Sequence, residues 1–372
     1  MRGIWNGLRR EPVLLIASGA ALVSAFFSPL GWGVFQTIDW NVLATLFCLM
    51  LVVAGLIRAG VFDAAAIQIL RTTRSTKRVA GLLVNLTFFS AMLVTNDVAL
   101  LTLVPFTIGL FGTKHQKQLI FLIVLETIAA NLGSMLTPVG NPQNLYLYTT
   151  YQMGLDTFLK TILPFGIVSW LLLMGALLLW RPEPVPFAQD TEVVHLDRPR
   201  VILFSLLFIL CLLSVLRVLD IRICLVISVL CGAIADRTLF AKVDYKLLLT
   251  FVAFFVFVGN LSAIPVVRET LSTWIAGREL WLGVVLSQGI SNVPAAVMLS
   301  KFTQAAEPLL VGVNLGGLGT LVASLASLIS YQIYTNSIDA RPRQYLGVFT
   351  ALNLAFLLVL AGVAWLVFSI RV

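Results

Sequence analysis

The sequence predicts an all-α polytopic membrane protein made of two inverted repeats, each with a re-entrant hairpin and a broken transmembrane helix. Three observations carry this prediction: apolar runs too long and frequent for a soluble core, a lopsided distribution of basic residues between them, and polar motifs that recur in both halves. Of the 372 residues 59% are hydrophobic and only 11% charged, and the mean hydropathy is +0.98. Soluble domains are about half apolar and a quarter charged, so the solvent for much of this surface is lipid. A bilayer core about 30 Å thick is crossed by roughly 20 apolar residues as helix. Stretches 201–216 and 346–368 are almost continuously apolar, which excludes the short alternating strands of an outer-membrane barrel.

In chain order the apolar pattern predicts spans at 13–30, 40–58, a broken one at 119–146, then 161–180, 201–219, 223–236, 246–264, a second broken one at 309–331, and 345–369. Segments 79–112 and 280–306 remain. Each is apolar, is interrupted at its middle by polar residues, and is too short for two crossings plus a loop, so each is read as a re-entrant hairpin. Arg2, Arg9 and Arg10 precede the first run, and Val23-Ser24-Ala25 resembles a cleavage site; the steady succession of spans that follows favours an uncleaved first span. The segment 223–236 is short for a crossing and needs local tilting or thinning.

Basic residues test the layout. With the amino terminus cytoplasmic, eighteen of the 25 fall in cytoplasmic connections, leaving Lys160, Arg217, Arg222, Arg268, Arg278, Lys301 and Arg371 on or near the other side. This asymmetry fits a multi-pass protein of a bacterial inner (plasma) membrane. The net charge of +8 is thereby explained by topology; without a basic stripe interleaved with exposed aromatics, no nucleic-acid partner is expected. Cys48, Cys211, Cys224 and Cys231 all sit in apolar segments with no C-x-x-C pair, and His115 and His195 fall in polar connections. No metal set or cofactor motif follows from them.

The polar connection with Pro182, Pro184, Pro186 and Pro199 divides the chain into a first repeat at 1–180, a cytoplasmic linker at 181–200, a linking helix at 201–222 and a second, inverted repeat at 223–372. Ile38-Asp39-Trp40 opens one span and Val243-Asp244-Tyr245 another. Thr95-Asn96 matches Ser291-Asn292, and Phe106-Thr107 matches Phe302-Thr303 at the same offset. Asn131-Leu132-Gly133 answers Asn314-Leu315-Gly316, Thr137 answers Thr320, and Tyr148 answers Tyr331. The charge-based topology sends the span after Asp39 inward and the span after Asp244 outward, so the repeats are inverted.

Secondary transporters of this kind place substrate and coupling ions near the midplane at discontinuous helices, where the backbone groups freed by a break find no partner in lipid. Thr95, Asn96 and Asp97 at the first tip offer a hydroxyl, an amide and a carboxylate, suited to Na+ or, on the N–H groups of the returning arm, to an oxyanion. An ordinary Asn-Asp turn is the plain alternative. The second tip, Ser291 and Asn292 with Pro294 in the first turn of its returning arm, lacks a carboxylate. In the first broken span Pro138 and Pro142 remove donors while Gly133 and Gly140 loosen the flanks, and Asn141, Gln143 and Asn144 beside the two prolines call for a polar cavity, with Thr137 a further binding candidate. Gly316, Thr320 and Ser324 are their counterparts in a break made by glycine, where Gly312, Gly316 and Gly319 also read as close helix packing. Glu126 is an intramembrane acid, a candidate with Asp97 for sodium or proton coupling or else a structural partner holding the broken helix.

These motifs also resemble a known family. Asp39-Trp40, Thr95-Asn96-Asp97 before Leu103-Val104-Pro105, and Glu126 followed by Asn131-Leu132-Gly133 and Gly140-Asn141-Pro142-Gln143-Asn144 are similar to the ion transporter superfamily of arsenite permeases, Na+/H+ antiporters and citrate or dicarboxylate carriers. The resemblance implies a homodimer with a scaffold part and an elevator-like part that binds substrate and Na+ or H+ between hairpin tips and broken helices. The arsenite and Na+/H+ branches carry Gly-Asp-Pro-Pro-Asn where this chain has Asn141 and Gln143. The dicarboxylate branch carries Ser-Asn-Thr where it has Thr95-Asn96-Asp97 and Ser291-Asn292-Val293. The expected function is secondary active transport of a small anion, a carboxylate or metalloid oxyanion, coupled to sodium or protons. Na+/H+ antiport is the alternative. A membrane-embedded enzyme would need a nucleophile–base pair or metal set at one face, for which no intramembrane histidine is available.

Overall fold

The structure, a computed structural model, describes residues 12–27, 31–71, 75–111, 116–180 and 196–370. The basic amino-terminal cluster, both histidines and the proline-rich part of the linker up to residue 195 lie outside them. Among the described residues every regular element is helical, and seven helices are long and apolar enough to cross a membrane.

The first described helix, α1 (Pro12–Ala25), packs on α11 (Tyr245–Ser262), where Asn260 Nδ2 donates to Ser24 Oγ at 3.0 Å. A 3₁₀ turn at Gly31–Thr37 leads to α2 (Trp40–Arg58), which begins where the sequence predicts because Asp39 caps it. Its Oδ1 accepts from Asn41 N at 3.1 Å and Val42 N at 3.0 Å. Asp244 repeats the device on α11, accepting from Lys246 N at 3.1 Å and Leu247 N at 3.0 Å, with nearly the same backbone angles: φ −83°, ψ 90° at Asp39 and φ −80°, ψ 82° at Asp244. Each cap satisfies two of the donors left free at a helix start. Asp39→Ala and Asp244→Ala should therefore each lower stability by about 1 kcal/mol, read as a downward shift in thermal unfolding of the purified protein in detergent.

After α2 the chain forms α3 (Val61–Arg71), the hairpin arms α4 (Thr76–Val94) and α5 (Asn96–Phe111), the broken span α6 (Gln116–Ser134) and α7 (Pro142–Thr150), and α8 (Leu155–Leu177). Helix α9 (Arg198–Val215) follows. Then come α10 (Ile221–Ala235), a 3₁₀ turn at Arg237–Lys242, α11, α12 (Pro265–Ile275), the arms α13 (Glu279–Ile290) and α14 (Asn292–Ser300), the broken span α15 (Ala306–Leu315) and α16 (Leu325–Thr335), and α17 (Pro342–Ile370). Among the described residues the order of helices is the same on either side of α9, eight with a 3₁₀ turn before the second, and the later set has one further 3₁₀ turn, Leu321–Ala323, within its break. The packing repeats as well. Helix α4 lies on α6 as α13 lies on α15, α5 lies on α16 as α14 lies on α7, and α1 lies on α11 as α10 lies on α2.

The sequence pattern did not anticipate α3 and α12, eleven residues each, because both are amphipathic rather than apolar throughout. It also extended the first span and the second hairpin too far: α1 ends at Ala25 and the returning arm at Ser300. Helix α10, 15 residues long, covers about 22 Å at 1.5 Å per residue, shorter than a bilayer core as expected. Helix α6 is central, with 83% of its most apolar window buried, whereas α9 and α17, at 22%, turn most of their surface outward. Exposed Ile202, Leu206, Leu358 and Trp365 on those two helices are the lipid-facing side such helices require.

Candidate functional site

Both hairpins turn at a single residue with the same unusual backbone: Thr95 at φ 78°, ψ 150° and Ser291 at φ 74°, ψ 154°. This region is almost reserved for glycine and costs a non-glycine residue on the order of 1–3 kcal/mol. Two matched non-glycine residues held there must be fixed by their surroundings. Part of the fixing is visible three residues before each hinge. The Thr137 hydroxyl donates to the Met92 carbonyl, and the Thr320 hydroxyl donates to the Gln288 carbonyl at 2.9 Å. Each break thus ties down the first arm of its own hairpin near its end, at a carbonyl that has lost its helical partner.

The two units are joined by asparagines. Asn96 Nδ2, at the first tip, donates to Asn131 Oδ1 at 3.0 Å; the same oxygen accepts from the Ser324 hydroxyl at 2.8 Å, and Asn131 Nδ2 donates to Ser327 Oγ at 3.2 Å. Asn314, the counterpart of Asn131, faces the other way. Its Oδ1 accepts from Asn141 Nδ2 at 3.1 Å and its Nδ2 donates to Asn144 Oδ1 at 2.6 Å. Asn144 in turn spends its amide on the carbonyls of Met135 and Thr137, both at 3.0 Å, which the break at Pro138 leaves without helical donors. Asn141 Oδ1 caps α7 by accepting from Asn144 N at 2.9 Å. All of these asparagines are at most 5% exposed, so the network satisfies a buried irregular backbone as a membrane interior demands.

Four short helices start in this region. Helix α5 starts at the Thr95 hinge, α14 at the Ser291 hinge, and α7 and α16 directly after the two breaks. The α5 and α16 starts meet through Asn131, and the α7 start is bound to the second unit through Asn314. Asn292, 4% exposed, lies against Gly317, where an added Cβ would meet its Nδ2 at 2.9 Å. Each helix start carries roughly half a positive elementary charge. Against these, the only acidic side chain in a first turn among the four helices is Asp97 on α5.

A cavity of about 450 Å³ reaches the first tip. Thr95, Asp97 and Val98 line it together with Val139 and Pro142 of the break, the face of α2 from Leu46 to Arg58, and Lys242 and Asp244. Asp97 Oδ1 is buried and has no hydrogen-bond partner. The second tip is covered instead: Ser291 and Asn292 are 8% and 4% exposed.

Several sequence-predicted residues lie elsewhere or serve packing. Glu126 is not beside Asp97. It accepts from the Thr107 hydroxyl at 2.7 Å, and Thr107 lies ten residues beyond Asp97 on α5, about 15 Å along the axis. Its other oxygen is buried without a partner. Thr303, the match of Thr107, donates at 2.9 Å to Glu279, 5% exposed, so each unit gives a threonine hydroxyl to a buried glutamate, but from a different element. Gly133 and Gly140 are close-approach positions, where a Cβ would meet the carbonyl oxygens of Phe88 at 2.1 Å and Ser134 at 2.2 Å. In the second unit a Cβ on Gly312 would meet the Leu280 carbonyl oxygen at 2.3 Å and one on Gly316 the Ser287 hydroxyl at 2.6 Å, while Gly319 adopts φ 106°. Thr320 is exposed and lines a shallow groove with Phe349 rather than the central network. Pro294 is buried in the first turn of α14.

Asn131, Asn314, Ser327, Gln288 and Glu279 were not among the predicted site residues. Asn131 and Asn314 were visible as a matched pair one turn before each break. Ser324, Ser327 and Ser330 recur every three residues, placing them along one face of α16, where Ser330 Oγ meets Thr127 Oγ1 at 2.6 Å and Tyr345 Oη at 3.0 Å. Gln288 had no polar match in the first hairpin to point it out.

A family model described as a citrate transporter matches residues 3–309. The chain belongs to the citrate transporter family. An uncharacterized transporter of Methanocaldococcus jannaschii is 32% identical over 342 residues, 89% of this chain and 92% of the relative. The inner membrane protein YbiR of Escherichia coli is 33% identical over 327 residues, 86% of each. The silicon efflux transporter LSI3 of Oryza sativa subsp. japonica is 30% identical over 146 residues, 39% of this chain and 30% of the relative. This member of the family is therefore a membrane transporter and not an enzyme.

Proposed function

We propose that the protein is a secondary active transporter that moves a small anion, a carboxylate or a metalloid oxyanion, coupled to sodium or protons. The observation that carries this reading is the set of four helix starts at the two hinges and two breaks. Their partial positive charges favour an anion, against which the four first turns set a single carboxylate, Asp97. The coupling ion is assigned to the first unit, at Thr95, Asn96 and Asp97, because Asp97 lines a cavity and has a buried carboxylate oxygen without a partner. The two units act as inverted repeats at 1–180 and 223–372, linked through 181–222, in a homodimer of an inner membrane with the amino terminus cytoplasmic.

A screen of the purified protein for thermal stabilisation tests the reading. Small carboxylates or oxyanions should raise the unfolding temperature, more so with sodium or at lower pH. Stabilisation by cations alone, with no anion effective, would remove the anion from the proposal. Asp97→Asn should leave anion-dependent stabilisation within about threefold while abolishing its dependence on the coupling ion; unchanged sodium and pH dependence would remove Asp97 from the coupling site.

Na+/H+ antiport is the second reading. The second unpartnered carboxylate oxygen, on Glu126, favours it. In that case Glu126→Gln should stop proton flux driven by a sodium gradient in vesicles that contain no transportable anion.

A further inference from the structure

The end of the molecule opposite Arg58 and Lys242 holds a polar basin that neither the tips nor the breaks explain. It has two lobes of about 650 and 610 Å³ that share Asn41 and Arg222. Helix α2 fixes its position: Asn41 is in the first turn of that 19-residue helix and Arg58 is its last residue, about 26 Å away along the axis at 1.5 Å per residue. One lobe is floored by Asp39, Gly259 and Lys301, the other by Thr149, Arg217 and Asp220. Lys301 caps the end of α14, and Thr149 is in the last turn of α7. These two short helices pack on each other and begin at the central site, so the basin opens onto the outer ends of site-forming elements.

Its charge is unusual for this side of the protein. Of the seven basic residues that the charge-based topology sets apart from the cytoplasmic connections, three, Arg217, Arg222 and Lys301, converge here. Arg217 is held in place: it adopts φ 61°, its guanidinium lies 5.2 Å from the centre of the Tyr148 ring, and it donates to the Tyr148 carbonyl at 3.0 Å. The basin's two carboxylates do not cancel this charge. Asp39 and Asp220 are the N-caps of α2 and α10, and each faces a helix start worth about half a positive charge. The field in the basin is therefore net positive, and low-dielectric walls concentrate it.

We propose that this basin is an anion-collecting vestibule, in which Arg217, Arg222 and Lys301 gather small carboxylates or oxyanions at the outer ends of α7 and α14. As a transport device it rests on the proposed anion specificity; the field itself does not. An Asn41→Cys reporter in the full chain, in membrane vesicles, measures the field without substrate. Position 41 is exposed and lines both lobes, and modification there is read by mass. At low ionic strength a sulfonate-bearing methanethiosulfonate should gain about tenfold over an ammonium-bearing one, relative to a free thiol, from a potential of roughly 1 kT acting on reagents two charges apart. Most of that gain should vanish at 1 M salt and in Arg222→Gln or Lys301→Gln. A free-thiol ratio, a preference for the ammonium reagent, or a ratio insensitive to both substitutions overturns the vestibule. If Asn41→Cys does not accumulate, Thr149→Cys in the same basin is read by the same criteria. For transport the probe is citrate: Arg222→Gln should raise KM several-fold at low salt with Vmax unchanged, and an unchanged KM overturns the collecting role. Absence of any anion transport by the unmodified chain, with the reagent preference intact, would instead overturn the anion reading and leave the charged basin standing.

Discussion

Replacing Asn131 with alanine should reduce transport by about a hundredfold or more, equivalent to roughly 2.7 kcal/mol, and lower stability by about 3 kcal/mol. One Asn131 oxygen accepts from both Asn96 of the first tip and Ser324 at the start of α16, while its amide reaches Ser327. Truncation strands the Asn96 amide and the Ser324 hydroxyl in a region where each unmade hydrogen bond costs about 1–3 kcal/mol. It also cuts the side-chain link between the α5 and α16 starts. Asn353→Ala is the control. Asn353 is equally buried on α17 but donates only along its own helix, to Phe349 O, so its loss should leave transport within about twofold of the unsubstituted level, far short of the tenfold that 1.4 kcal/mol represents. Uptake and detergent thermal unfolding measured on both variants decide the matter. If Asn131→Ala transports normally, the asparagine bridge is not part of the site. If both variants fail alike, general core damage is the cause. A cycle with Asn96→Ala should show strong non-additivity, since the first substitution already removes the partner of the second.

Gly133→Ala is the second large effect, and it acts through the backbone. The added methyl carbon would sit 2.1 Å from the Phe88 carbonyl oxygen, far inside any tolerated contact, and the obstacle is the main chain of α4 rather than a side chain that can rotate. Helix α4 must move away by about an ångström or more, carrying the Thr95 hinge with it, or the pair must separate. The expected cost exceeds about 3 kcal/mol, in the range of severe overpacking, with little folded protein recovered and no transport from what remains. Gly312→Ala should reproduce this in the second unit, where the new carbon would meet Leu280 O at 2.3 Å. Gly175→Ala, in α8 with nothing within 4 Å of the new atom, should be neutral or better by up to about 1 kcal/mol, as glycine-to-alanine changes in open helix positions are. Equal recovery of all three variants on size-exclusion chromatography would refute the close-approach account.

Much of this architecture is legible in the chain because it is written in local chemistry. Asp39 and Asp244 mark helix starts by the capping they perform. The hinge positions were placed correctly by the interruption of apolar runs at Thr95-Asn96 and Ser291-Asn292, since lipid tolerates polar side chains only where something satisfies them. The prolines at 138 and 142 forbid a continuous helix whatever surrounds them. Amphipathic α3 and α12 escaped because their pattern is neither wholly apolar nor strongly polar. Glu126 stands out in the chain as an acid within an apolar run, and it is buried in α6, but its distance from Asp97 depends on where Thr107 falls on α5. The sequence alone does not contain that distance.

The sequence by itself determined that the chain spans a membrane as helices, that it is interrupted twice in each half, and which polar residues stand at the interruptions. These follow from hydropathy, proline and capping, which act over a few residues. Only the tertiary structure decided which interruptions touch. Asn131 could have answered any of several polar groups; that it takes Asn96, Ser324 and Ser327, while Asn314 takes Asn141 and Asn144, depends on α5 lying against α16 and α7 against α14. Glycine contacts with carbonyl oxygens set the neighbouring α4–α6 and α13–α15 packing that places Asn131 and Asn314. Hydrogen bonds between residues 35 to 196 positions apart are selected by shape, because each partner has the same local signature as several others in the chain. Lys301 comes to Arg217 and Arg222 in the same way, from a helix end far along the chain.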